Sequence, residues 1–111
     1  MTSRGINLQT KGIIDWESFH SVCAETFGFP SFYGRNMDAR IDCMTYLDDA
    51  DTGMTAVTVA PGELFHLEVV DSADFQKRLP EIFLVFIKYS AFVNWRRAEQ
   101  GERPVLALIL I

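Results

Sequence analysis

The chain has 111 residues, 10 Lys+Arg against 15 Asp+Glu, and a formal net charge of -5. That length is one domain, spanning 1–111 and large enough to bury a core without staples; the 49% apolar content excludes a disordered chain. The negative balance argues against direct nucleic-acid binding, which needs cationic surface to displace phosphate counterions.

Ile6 and Leu8, two apart in an extended stretch, predict a first strand. Asp15 offers a helix N-cap, and Trp16, Phe19, Val22 with Cys23, and Phe27 form one helical stripe. Gly28 and Pro30 end that helix. Residues 30–36 form a loop, with Asn36 as N-cap of a second helix over about 37–47. Met37, Cys43, Met44 and Leu47 share one arc of it, and Asp38, Asp42 and Thr45 another. Ile41 falls on the border, placed to be partly exposed beside the acids. Residues 48–63 are loop-like at both ends, with Met54 to Val59 as a short strand or hairpin arm. Leu64 to Val70 alternates as a strand, and Asp71 or Ser72 caps a short helix through Phe75 and Leu79. Pro80 opens a long helix over about 80–99, apolar on every side from Ile82 to Ile87 and expected to be mostly buried there. Val105 to Ile111 has no polar residue, as suits a central strand covered on both faces. The alternation of strands and helices predicts an α/β fold with a small, mostly parallel three-stranded sheet and about four helices.

Motifs for chemistry are absent. There is no phosphate-binding glycine loop, no GxSxG and no HExxH. Asp49-Ala50-Asp51-Thr52-Gly53 lacks the third acidic ligand and the distal Glu of a calcium loop. His20 and His66 have no ligand-like pairing, and each reads as a surface or satisfied histidine. Cys23 and Cys43 fit neither a disulfide framework nor a metal spacing, and read as reduced, buried thiols. Asp38 and Asp42 stand at i, i+4 on an exposed face, where both stay ionised rather than forming an acid/base pair. No catalytic residue, metal or cofactor is expected, and the chain is not read as an enzyme. The apolar runs are too short to cross a membrane, and Met1-Thr2-Ser3-Arg4-Gly5 lacks a signal peptide's apolar stretch, so a cytoplasmic location is expected.

The charge is uneven. Residues 1–37 balance, residues 38–74 hold nine acids against Arg40 alone, and residues 75–111 hold six bases against three acids. A run of acids is either a solvated face or a surface that attracts a cationic partner.

One segment is more specific. Phe27 to Asp42, FGFPSFYGRNMDARID, resembles the barstar family of ribonuclease inhibitors, matching its pattern at Pro30, Tyr33, Gly34, Asn36, Asp38, Ala39 and Asp42. The order of elements on either side agrees with that family. The resemblance implies an intracellular protein that caps the active site of a basic, extracellular-type ribonuclease or related toxin. It implies a partner-binding set of Phe32, Gly34, Asn36, Asp38 and Asp42, to which the helical wheel adds Ile41 beside the acids. In that set Asp42 mimics a phosphate, Asp38 supports it, Phe32 is the aromatic contact, and Gly34 and Asn36 shape the loop and start the helix. Tyr33 is expected to pack under the loop rather than make contact.

The chain departs from the family at several positions. Ile41, Phe32 and Leu47 replace aromatics or a tyrosine, and Arg40 stands between the two aspartates. Arg96 and Arg97 occupy a region of the last helix where the family has an acidic contact, and residues 48–63 read as an insertion. These changes imply an acidic contact with an altered periphery and partner. The alternative reading is a barstar-fold interaction or regulatory module with a non-nuclease partner.

Overall fold

A computed structural model describes residues 4–30, 33–49 and 53–111. Strand β1 (Arg4–Gln9) leads through a single 3-10 turn (Thr10–Gly12) to helix α1 (Trp16–Phe27) and helix α2 (Met37–Thr45). Strand β2 (Phe65–Val70), helix α3 (Ser72–Arg78), helix α4 (Pro80–Glu99) and strand β3 (Leu106–Leu110) follow. This is the α/β architecture predicted: among the described residues, three parallel strands in one sheet with four α-helices.

The helix ends have local causes. Asp15 accepts from the Ser18 amide at 2.8 Å while the Ser18 hydroxyl accepts from the Asp15 amide at 3.0 Å, a reciprocal cap on α1. Gly28 ends α1 at φ 67°, and a Cβ there would lie 2.3 Å from the Ala56 Cβ, so both conformation and space require glycine. Pro80 stands in the first turn of α4. Asp71 adopts φ 54° and makes no side-chain cap on α3. Asp71 does hold the N-cap position, its carbonyl accepting from the Phe75 amide at 3.0 Å, while Ser72 bonds the Ile111 carbonyl through its amide (2.9 Å) and hydroxyl (3.1 Å).

The strand order is β1-β2-β3, parallel throughout, with Arg4 opposite Phe65 and Phe65 opposite Leu106. Both crossovers step the same way across the sheet, so right-handed connections lay their helices on one face. β2 reports this directly: Phe65, Leu67 and Val69 are buried while His66, Glu68 and Val70 are half-covered. It also corrects the expectation for the C-terminal run. β3 is an edge strand rather than a central one, and Leu110 is 50% exposed. The interior of α4 needs a smaller correction, since Ile82 and Phe86 are buried but Leu84 projects into solvent.

The core joins Leu8 and Ile13, Phe19, Cys23 and Phe27 of α1, Ile41, Met44 and Leu47, the inner face of β2, Phe75, and Phe86 and Val93 of α4. The inserted segment contributes no strand among its described residues. It is tied down by its backbone, Ala56 donating to Phe27 O (2.8 Å) and Val59 to Leu47 O (2.9 Å), with Thr55 and Val59 buried. Cys23 and Cys43 are free and buried, and burial raises both thiols, Cys43 to about 11.

Candidate functional site

The loop before α2 is anchored from beneath. The Tyr33 hydroxyl meets His20 Nδ1 at 2.7 Å, and the Tyr33 ring packs on Phe29 with centroids 4.7 Å apart. Burial raises the phenol's pKa and lowers that of His20, with Arg35 and Arg40 adding to the second effect. Tyr33 is thus a packing residue under the loop. The strained conformation lies at Arg35 (φ 55°) rather than Gly34. Arg35 secures the turn to α1 through Nη2, which donates to Glu17 O at 2.9 Å and Ser21 Oγ at 2.8 Å. Asn36 Oδ1 accepts from the Ala39 amide at 2.8 Å, capping α2, and its Nδ2 donates to the Gly34 carbonyl at 3.3 Å. Phe32, and residues 50–52 of the acidic loop, lie outside the described residues.

On α2, Asp38 and Asp42 are exposed, Asp38 at a cleft shared with α4 and Asp42 beside Arg96. The far end of the helix is locked. Arg97, itself buried, donates from Nη1 to Thr45 O (2.9 Å) and Asp48 Oδ1 (3.0 Å), from Nη2 to Asp48 Oδ2 (2.7 Å), and from Nε to Arg103 O (2.7 Å). A fork this complete ties α2 to α4 as one rigid unit.

Ile41 is only 4% exposed, correcting the expectation that it lies partly open beside the acids. α4 packs over the border of the helical wheel, and Ile41 becomes part of a cleft of about 290 Å³ shared with Asp38, Lys88, Tyr89 and Phe92. Arg40 is fully buried beside the Cys23 thiol, with no hydrogen-bond partner of ordinary geometry for its three guanidinium nitrogens among the described residues, its charge lying 5.0 Å from the Phe86 centroid and 6.0 Å from that of Phe19.

Three residues of α4, Phe92, Trp95 and Arg96, add to this face. Phe92 and Trp95 form a tilted ring pair 4.8 Å apart, 42% and 52% exposed. Arg96 pairs with Asp42. The outcome is an acidic row on α2, a row with Lys88 and Arg96 on α4, and aromatic surface beside them. Among the described residues no three His, Cys, Asp or Glu side chains stand together as a metal site, and no helix is long and apolar enough to cross a membrane.

Comparison with known families decides the ancestry of this arrangement. The family model described as Barstar (barnase inhibitor) matches residues 4–108. The chain belongs to the barstar family. No individual curated protein matches it. Within this barstar-family chain, the structure brings Gly34, Asn36, Asp38 and Asp42 together along one loop and helix, with Ile41 beneath them. The sequence reading did not single out Phe92 and Trp95. Their signal was available, as two large aromatics three apart near the polar end of a helix whose apolar positions already filled another face.

Proposed function

We propose that this chain is a stoichiometric protein inhibitor of a basic ribonuclease or related toxin. It caps the enzyme's active site with α2 and the preceding loop, in an immunity role in the cytoplasm, and carries out no chemistry of its own. One observation carries the reading: in a chain of the barstar family, Asp38 and Asp42 stand exposed on one face of a helix capped by Asn36 and clamped by Arg97. A nuclease site built for phosphates presents Arg, Lys and His donors. Carboxylates on a rigid helix satisfy those donors and cannot be cleaved, and little conformational freedom is lost on binding. The acidic middle third of the chain steers such a partner inward, with a rate that falls as salt rises.

The test is titration into an RNA-cleavage assay of a basic ribonuclease encoded nearby or co-purified. Activity should vanish at one equivalent. Asp42→Ala should weaken binding by tenfold or more, roughly 1.4 kcal/mol or above, and Asp38→Ala by less. Undiminished inhibition by both variants at low salt would refute the phosphate-mimic role. A second reading, an interaction module for a non-nuclease partner, draws on Arg96 answering Asp42 and on the exposed Phe92–Trp95 pair. A tight partner without nuclease activity would favour it.

A further inference from the structure

We infer that Arg96 is an intramolecular competitor for the partner's cation at Asp42, a latch that any basic surface must displace before this face can bind it. The inference rests on the inhibitor reading for the kind of partner, but the contact itself belongs to the free protein.

Arg96 Nη1 donates to Asp42 Oδ1 across the α2–α4 boundary. The two side chains are 37% and 51% exposed, so the pair is a surface contact that can open without disturbing the core. What cannot open is the backbone beneath it. The next residue, Arg97, is buried and holds Thr45 O and both oxygens of Asp48. Two adjacent arginines therefore divide the work: Arg97 fixes the spacing of the helices, and Arg96 occupies the carboxylate left at their surface. With the helices held, only the Arg96 side chain can yield. An incoming cation meets an Asp42 whose charge is already answered, and its gain is reduced by the pair it breaks. An exposed pair of this kind corresponds to a factor of about 1.5 to 5 in affinity.

A double-mutant cycle decides the matter. Parent, Arg96→Ala, Asp42→Asn and the double variant are titrated by NMR with a hexa-arginine peptide. Each is also titrated by calorimetry with a panel of catalytically inactivated basic ribonucleases, at low salt. Arg96→Ala should bind the peptide about 1.5- to 5-fold more tightly than the parent, and the gain should disappear in the Asp42→Asn background. An equal gain in both backgrounds would mean that Arg96 acts only as bulk charge, and weaker binding by Arg96→Ala would mean that it orients Asp42; either result overturns the latch. If no ribonuclease binds the parent, the inhibitor reading fails while the peptide cycle still decides the role of Arg96. Arg96→Gln, which keeps a shorter polar side chain without the charge, repeats the cycle if the alanine variant folds poorly.

Discussion

Arg40→Met is expected to make the protein more stable. The guanidinium is fully buried, its three nitrogens lack hydrogen-bond partners of ordinary geometry among the described residues, and its compensation is two aromatic faces at 5.0 and 6.0 Å and the Cys23 thiol beside it. Removing a cation from water costs several kcal/mol even after relaxation. Two cation–π contacts return about 0.5–2 kcal/mol each. Methionine keeps the aliphatic stem, fills much of the volume against Phe19 and Phe86, and needs no partner. The balance is a gain of about 1–3 kcal/mol, which at this chain length raises Tm by at least ~4 °C per kcal/mol. Arg97→Met is the paired control. That arginine is buried too, but it makes four hydrogen bonds, and its loss strands Asp48 and the Thr45 carbonyl. It should lose about 3–5 kcal/mol. Urea unfolding followed by circular dichroism reads both. A destabilisation of 1 kcal/mol or more by Arg40→Met would show that the ring contacts outweigh desolvation, and would refute the reasoning.

Other outcomes follow from the same structure. Gly28→Ala should destabilise by about 1–2 kcal/mol from the left-handed φ alone, with a further loss from the overlap at Ala56; Ala56→Gly should recover only the Cβ share of that further loss in thermal melts, since the residue 56 amide and Cα still crowd the site. His20 has a lowered pKa, so the unfolded chain takes up its proton first. Its stabilising contribution is complete above pH ~6.5 and is lost as pH falls below that value, a slope that His20→Gln should flatten in urea titrations between pH 7 and 5. Trp95→Ala and Phe92→Ala should leave Tm nearly unchanged but weaken partner binding, by about 1–2 kcal/mol for the tryptophan. Calorimetric titration beside a melt separates the two effects.

What was legible in the sequence was local. The reciprocal cap of Asp15, the glycine stop at Gly28, Asn36 at the head of α2 and Pro80 at the head of α4 act within one turn, and residue chemistry alone places them. Features decided between elements were not legible. Ile41 is ambiguous on its own helical wheel, and only the docking of α4 buries it. Val105 to Ile111 has the composition of a doubly covered strand, yet the strand order places it at an edge of the sheet, where Leu110 is half exposed. Arg96 and Arg97 are chemically identical neighbours, and partners about fifty positions away separate the clamp from the latch. Nothing in the periodicity of α2 announced that Arg40 would face two phenylalanines in the core.

The clamp by Arg97 also fixes when in the life of the chain this face can exist. It joins residues 52 positions apart, and the Thr10 hydroxyl reaches the Val70 carbonyl across 60. Every strand pairing in the parallel sheet likewise spans a full crossover. Such topology folds slowly, because loop closure precedes the contacts that reward it. On a ribosome adding about 5–20 residues per second, α2 waits seconds for the helix that completes it. Until residues 80–99 have emerged and docked, the nascent chain carries its acidic helix without the rigid backing that presents Asp38 and Asp42 together.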